Sequence, residues 1–383
     1  MTTNSTAETT QKKPTVLVVD DEAGPRDALK VILRPFFNIL AAENAQTALR
    51  VLQEQSIDLI TLDQKLPDRQ GIDLLQDIKH HHADVEVIII TGYGSLKSAM
   101  DGIRHGAAGY LLKPFNVTEL ITLINQTLGK KKRLDFLRTF LQSSSALWGK
   151  EAESAHAWAT LKTQYRSLED DPLVVSSDTA DSTTLLPLLS DLLEAKDRQL
   201  LNHCSRVSFY ATLLANRLNL TMAEQKSLAL GAFLHDLGKI TFDHYHFGDE
   251  DHTDTAGAES LKEHPDIGAR MILPLGFPAE VGQIIAYHHE RFDGSGYPHG
   301  LQGEGIPLLA RIVAIAQQFD HLTAEILGRH PLSIDDAIRQ VSLQAETHFD
   351  PMLTDIFTRV VSECKASLPA LAIAAMPTGT PES

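Results

Sequence analysis

Five apolar runs, each the length of one strand, recur between Pro14 and Leu128: TVLVV (15–19), FNILAA (37–42), DLITL (58–62), VEVIII (85–90) and AGYLL (108–112). They are apolar or β-branched nearly throughout, as strands covered on both faces are. Stretches of helical period follow them in turn, at 24–33, 45–54, 71–79, 95–104 and 117–128. This alternation predicts a doubly wound five-stranded parallel sheet over 14–128. From 186 to 368 the pattern changes. LLPLLSDLLEAK, VSFYATLLANRL, EQKSLALGAFLHDL, AEVGQIIAYHHE, LLARIVAIAQQFDHL and IDDAIRQVSLQA all carry helical period, and no strand run stands out. The fold class expected is multidomain, α/β plus all-α.

Residues 1–13 are polar, and the tail ends in a Pro/Gly/Thr segment. Residues 1–13 read as a disordered leader and 369–383 as a flexible tail. Residues 129–185 open on the basic run KKKR (130–133) and later hold SSS, EDD and SSDTADSTT, a composition that predicts a helical connector and an acidic linker. Their heptads are too few for a coiled-coil assignment. The net charge of -16 argues against non-specific nucleic-acid binding, yet leaves room for an anionic substrate if metal ions supply local positive charge. KKKR is the one basic run, which leaves a DNA-binding regulator without a recognition helix. Two cysteines, Cys204 and Cys364, no signal-peptide pattern and no apolar stretch of about 18 residues make a cytoplasmic chain without a membrane span the expectation.

Ligands of an open parallel sheet bind at the carboxyl ends of its strands. Asp20, Asp21 and Glu22 follow the first expected strand, Asp63 the third, Thr91 the fourth and Lys113 the fifth. Clustered carboxylates repel unless a cation sits among them, and all-oxygen donors suit Mg2+. A carboxylate beside Mg2+ can take up a phosphoryl group, whose oxygens Thr91 and Lys113 would hold. One acidic pair alone could equally end a strand and cap a helix. The combination with Asp63, Thr91 and Lys113–Pro114 is far more specific. VLVVDDE, LDQKLPDRQG, IIITGYG and GYLLKPF resemble the signature segments of response-regulator receiver domains, in order and in spacing. The resemblance implies that Asp63 is the phosphoacceptor and that Asp20, Asp21, Asp63 and the Lys65 carbonyl bind Mg2+. It also makes Thr91 and Tyr110 the switch pair and Lys113 the phosphate-binding lysine.

Most of the seventeen histidines lie after Leu200. His203, His235–Asp236, His264 and His288–His289 offer imidazoles with a carboxylate, a donor set for Mn, Fe or Zn. One carboxylate, Asp236, can bridge two ions, and two ions clamp a phosphodiester. Each lone histidine is more often a surface or core residue, so the weight rests on the pairs. HCSRV (203–207), HDLGKI (235–240), EHPDIG (263–268), HHERFDGSGYP (288–298) and IPLLARIVAIA (306–316) resemble the HD-GYP family of HD phosphohydrolases, which hydrolyse cyclic di-GMP. The resemblance implies His203, His235, Asp236, His264, His288 and His289 as ligands of one or two transition ions, Fe or Mn foremost. It implies Lys239 as a substrate phosphate contact, and Gly294, Gly296, Tyr297, Pro298 and Arg311 as the substrate-side turn and following segment.

The chain departs from that family at four places. Gln317 stands where the family has a metal-binding aspartate, and Asp320 keeps a role of its own. TFDHYHFGDEDHTDTAGAES (241–260) replaces a proline- and lysine-bearing stretch, LTAEILGRHP (322–331) replaces an arginine- and tyrosine-bearing one, and Gln199 precedes His203 where a third metal would need a carboxylate. The expectation is a stronger site through Asp236, His264, His288 and His289, and a weaker one through His203, His235 and Gln317. Two functions are carried forward. One is a cyclic di-GMP phosphodiesterase controlled by phosphorylation of Asp63 through the 130–185 connector. The other is an inactive domain that binds nucleotide or protein as a signalling output. The partners implied are a sensor histidine kinase, cyclic di-GMP, a second copy of the chain, and a GGDEF-type or other signalling protein.

Overall fold

The strands β1 (Thr15–Val19), β2 (Asn38–Ala42), β3 (Leu59–Leu62), β4 (Glu86–Thr91) and β5 (Gly109–Leu112) form one parallel sheet in the order β2-β1-β3-β4-β5. The coordinates are a computed structural model, and the structure describes residues 13–92, 96–144, 148, 151–169, 185–242, 245, 260–325, 330–366 and 368. The leader short of Lys13, the tail, 170–184 and most of 241–260 lie outside the described residues. The chain divides into two units, one holding the sheet and one all helical.

Alternation along each strand decides which layer a side chain joins. Leu17, Val19, Ile60, Leu62, Val87 and Ile89 pack with Ala45, Ala48 and Leu52 of α2 (Ala45–Glu54) and Leu74, Leu75 and Ile78 of α3 (Gly71–His81). Val16, Val18, Leu59, Ile88, Ile90 and Leu111 turn the other way, toward Leu29 and Leu33 of α1 (Ala23–Leu33) and Leu120, Leu123, Ile124 and Leu128 of α5 (Val117–Ser144). Helix α4 (Leu96–Arg104) precedes β5. Both faces of the sheet are therefore covered, which is why its strands read as unbroken apolar runs.

Helix α5 does not stop at 128. It continues through Gly129 and the KKKR run to Ser144. A helical glycine costs about 1 kcal/mol. Leu134, Leu137 and Leu141, spaced by three and four and all buried, outweigh it at roughly 1.5–3 kcal/mol each. These leucines belong to the helical unit, as do the buried Trp148 and the Trp158 and Tyr165 of α6 (Glu151–Glu169). Trp148 and Trp158 meet edge to face at 5.0 Å, and Trp158 Nε1 donates to Met271 O at 2.7 Å. The connector expected over 129–185 thus supplies core to the helical unit along its described part.

The rest of that unit comprises α7 (Leu185–Lys196), α8 (Arg198–Ala215), α9 (Met222–Leu234), α10 (His264–Ile272), α11 (Ala279–Tyr287), α12 (Leu308–Thr323), α13 (Ile334–Leu343) and α14 (Pro351–Cys364). Helix α8 serves two cores. Leu200, Leu201 and Cys204 face one with α7 and α10, and Val207, Tyr210, Ala211 and Leu214 face the other with α12, α13 and α14. Among the described residues no helix is long and apolar enough to cross a membrane.

Candidate functional sites

Hydrogen bonds of the sheet carry on past its strand ends and set the acidic pocket. Asp63 N donates to Val19 O at 2.9 Å, which brings Asp63 beside Asp20, and Lys113 N donates to Thr91 O at 2.8 Å. Carboxylate oxygens of Asp20, Asp21 and Asp63 lie within 4.8 Å of one another. Asp20, Asp63 and Thr91 are buried, while Asp21 is exposed. Lys113 Nζ donates to Asp20 Oδ2 at 2.7 Å and to Asp63 Oδ2 at 2.6 Å. Burial works against the charge on Lys113, but its hydrogen bonds to the two aspartates outweigh that and raise its pKa. Tyr110 Oη pairs with Ser98 Oγ at 3.1 Å. All the residues singled out for phosphoryl chemistry meet at one end of the sheet, except that Tyr110 points to α4.

The histidines converge because helix ends and a helix middle meet. His235 ends α9, and Asp236 begins the turn Leu237–Thr241. His264 starts α10, His288 ends α11 and His203 sits within α8. Close approach is needed here: a Cβ on Gly238 would lie 2.0 Å from His264 O. His235 Nδ1 donates to Ala232 O at 2.7 Å, His264 Nδ1 to Leu261 O at 2.6 Å and His288 Nδ1 to Ile285 O at 2.8 Å. His203 Nδ1 instead donates to Asp320 Oδ2 at 2.7 Å. Carbonyls and carboxylates only accept, so all four rings carry a proton on Nδ1 and turn Nε2 inward.

Those Nε2 atoms surround Asp236, which is fully buried. Its Oδ1 lies 3.2 Å from His264 Nε2 and 3.7 Å from His288 Nε2. Its Oδ2 lies 3.3 Å from His235 Nε2 and 3.5 Å from His203 Nε2. Lys239 Nζ forms an ion pair with Oδ2 at 2.9 Å, yet neither carboxylate oxygen has a hydrogen-bond partner of normal geometry, and His235 Nε2 and His289 Nε2 have none either. Burial pushes His203 down to about 4 and His288 to about 3, and lowers His264 and His289 as well. For Asp236 burial pulls upward, but His235 and Lys239 hold its carboxyl well below the usual range. Unprotonated imidazoles facing an ionised carboxylate repel one another unless a cation lies between them. The nitrogen and oxygen donors fit a transition ion. They fall into two groups that share Asp236, one with His264, His288 and His289 and one with His203 and His235.

A cavity of about 330 Å³ adjoins the first group, lined in part by Lys239, Lys262, His289, Arg291, Tyr297 and Gln317. Tyr297 stacks on His289 with centroids 4.6 Å apart. Gly296 lets this turn close, since a Cβ there would lie 2.3 Å from Arg291 N, and Gly294 takes φ 84. Gly294, Gly296 and Pro298 shape the loop without lining the cavity, and Arg311 is turned to Asp350 at 2.5 Å. Three residues escaped the sequence reading. Buried Glu290 accepts from His299 N at 2.7 Å and Leu301 N at 2.9 Å, and so pins the turn. Arg206 holds Asp320 by two hydrogen bonds, of 2.6 and 2.9 Å. His321 stands beside His203, centroid to centroid 5.0 Å. The spacing of Arg206 three residues after His203 was the one available signal.

Comparison with known proteins agrees with both halves. The family model for the response regulator receiver domain matches residues 16–125, and that for the HD domain matches 187–353. A probable cyclic di-GMP phosphodiesterase of Vibrio cholerae is 29% identical over 90% of this chain and 77% of its own length. A cyclic di-GMP phosphodiesterase of Thermotoga maritima is 26% identical over 91% of each. The cyclic di-GMP phosphodiesterase response regulator RpfG of Xanthomonas campestris is 28% identical over 90% of this chain and 87% of its own. With a five-stranded receiver sheet, a helical histidine–aspartate centre and a GYP turn stacked on it, the chain belongs to the response regulators that join an N-terminal receiver domain to a C-terminal HD domain of the HD-GYP type.

Proposed function

We propose that this protein is a metal-dependent cyclic di-GMP phosphodiesterase governed by phosphorylation of Asp63. The observation that carries the reading is Asp236, whose two oxygens face two separate groups of imidazoles beside a cavity with cationic walls. Asp236, His264, His288 and His289 would hold one transition ion, and His203, His235 and Asp236 a second. Ions held there supply an activated water and Lewis-acid charge for a phosphodiester. Lys239, Lys262 and Arg291 bring positive charge to a cavity of an otherwise acidic protein, which suits an anionic dinucleotide. The stack of Tyr297 on His289 and the grip of Glu290 on the turn keep the wall of that cavity in place. In the receiver domain Asp20, Asp21 and Asp63 would bind Mg2+, and a sensor kinase or small phosphodonor would supply the phosphoryl group.

A second reading rests on Gln317, a neutral amide whose buried Oε1 has no hydrogen-bond partner: a domain that binds nucleotide without cleaving it. One experiment separates the two. The chain is purified without oxygen, loaded with Mn2+ or Fe2+ and supplied with cyclic di-GMP, with Asp236→Ala as the blank. Turnover to the linear dinucleotide or GMP that vanishes in the blank supports the enzyme. Bound metal without turnover supports the binding domain, with Gln317→Asp as the next variant to assay.

A further inference from the structure

The two halves of the histidine centre are unequal in donors. Asp236, His264, His288 and His289 make a group of four, whereas His203, His235 and Asp236 make a group of three. Transition ions held by nitrogen and oxygen commonly take four ligands, so the group of four can fill its ion's shell from protein while the group of three leaves one position open. We infer that His321 is the missing protein ligand of the His203–His235 half, an inference that rests on the metal-centre reading above.

The placement supports it in three ways. First, the His203 and His321 rings stand 5.0 Å apart, the spacing also found between His203 and His235 at 5.1 Å, His235 and His288 at 5.0 Å, and His264 and His288 at 5.3 Å. Second, His321 follows Gln317 by one turn of α12, and both line the cavity that His264, His288 and His289 also line. Third, the neighbouring donors on this turn suit the task poorly. Asp320 is held by His203 Nδ1 and by Nε and Nη2 of Arg206, and Gln317 offers a neutral amide oxygen, a weak donor. The His321 ring stands beside His203, half-buried on the cavity wall, and would enter the three-donor group by a change of rotamer. The resulting site has three imidazoles and one carboxylate, a donor set that favours Zn2+, Fe2+ or Co2+ over Mg2+.

Metal binding itself is the test. The full chain is stripped with chelator, titrated with Zn2+ and Co2+ in excess Mg2+, which fills the aspartate site of the receiver, and assayed for transition ions bound per chain and for the visible absorption of Co2+. Wild type is expected to bind two ions, and His321→Ala to keep one while the weaker ion is lost or its affinity falls tenfold or more, with an altered Co2+ spectrum and an unchanged fold by circular dichroism. Adding Gln317→Asp to His321→Ala is expected to restore the second ion, because a carboxylate then stands one turn away. Two ions of unchanged affinity in His321→Ala overturn the inference. So does a wild type that binds one ion, or a double variant that stays at one. Cyclic di-GMP turnover is read in parallel. Two ions lost to one with no turnover in wild type would leave His321 a ligand while removing the phosphodiesterase, and turnover untouched by His321→Ala with both ions retained would do the reverse.

Discussion

Asp320 reaches His203 across 117 residues of chain and accepts its Nδ1 proton at 2.7 Å, while Arg206 neutralises the same carboxylate. The pair fixes which nitrogen of His203 faces Asp236. Removing one partner of a buried, hydrogen-bonded charge group costs about 3–5 kcal/mol, and loss of a histidine's orienting carboxylate weakens metal binding about 10- to 100-fold. Asp320→Asn should therefore lower the urea midpoint and weaken the second metal ion together. A variant that loses stability but binds metal as wild type does would remove His203 from the ligand set.

Lys113 occupies the space between Asp20 and Asp63, where a cation would otherwise sit. Lys113→Ala is expected to bind Mg2+ several-fold more tightly by calorimetry, since a competing ammonium is gone, and yet to accumulate less phosphate from acetyl phosphate. Asp63→Asn should take up none. Weaker Mg2+ binding in Lys113→Ala would mean that the lysine organises the aspartates instead of competing for them.

Acid should loosen the chelator-stripped protein in a defined window. Burial holds His203 at about 4 and His288 at about 3, against an ordinary 6.5. Between those values the unfolded chain takes up protons that the folded chain refuses, so stability is fully present above pH 6.5 and is lost as pH falls toward 4. At pH 5 the loss is on the order of 2 kcal/mol for each histidine. Urea melts at pH 7.5 and 5 measure it, and an equal midpoint at both would contradict the buried neutral rings.

Gly238 and Gly24 make a paired test. A methyl group at Gly238 would meet backbone at 2.0 Å, whereas one at Gly24 in α1 meets nothing within 4 Å. Gly238→Ala should destabilise by about 1–3 kcal/mol or more and disturb His264. Gly24→Ala should be neutral or stabilise by up to about 1 kcal/mol. Thermal melts of the two variants decide.

The strands were legible because a sheet covered on both faces needs apolar residues along most of each strand, and the site aspartates because they stop those runs abruptly. The six residues of the histidine–aspartate cluster drew notice through two adjacent pairs, His235–Asp236 and His288–His289, and through their resemblance to a family. Length defeated the reading of α5: Gly129 followed by four basic residues looks like a helix end, and the leucines that prolong it find their partners in a core built far along the chain. Trp158 gave no local sign of its bond to Met271, 113 residues on. Arg311 looked poised for substrate, but Asp350, which caps α14, claims it. A single histidine such as His321 carries no pattern at all until the fold sets it beside another.

The bond from Trp158 to Met271 O also bears on where the protein can be divided. Leu188, Leu189, Leu192 and Leu193 share one core with Leu134, Leu137, Trp148, Trp158 and Leu161. A fragment begun at 186 would uncover a leucine face to water and leave the last turn of α10, the helix that starts at His264, without its roof. An excised helical half should be cut upstream of Arg133, inside α5, if that core is to stay covered.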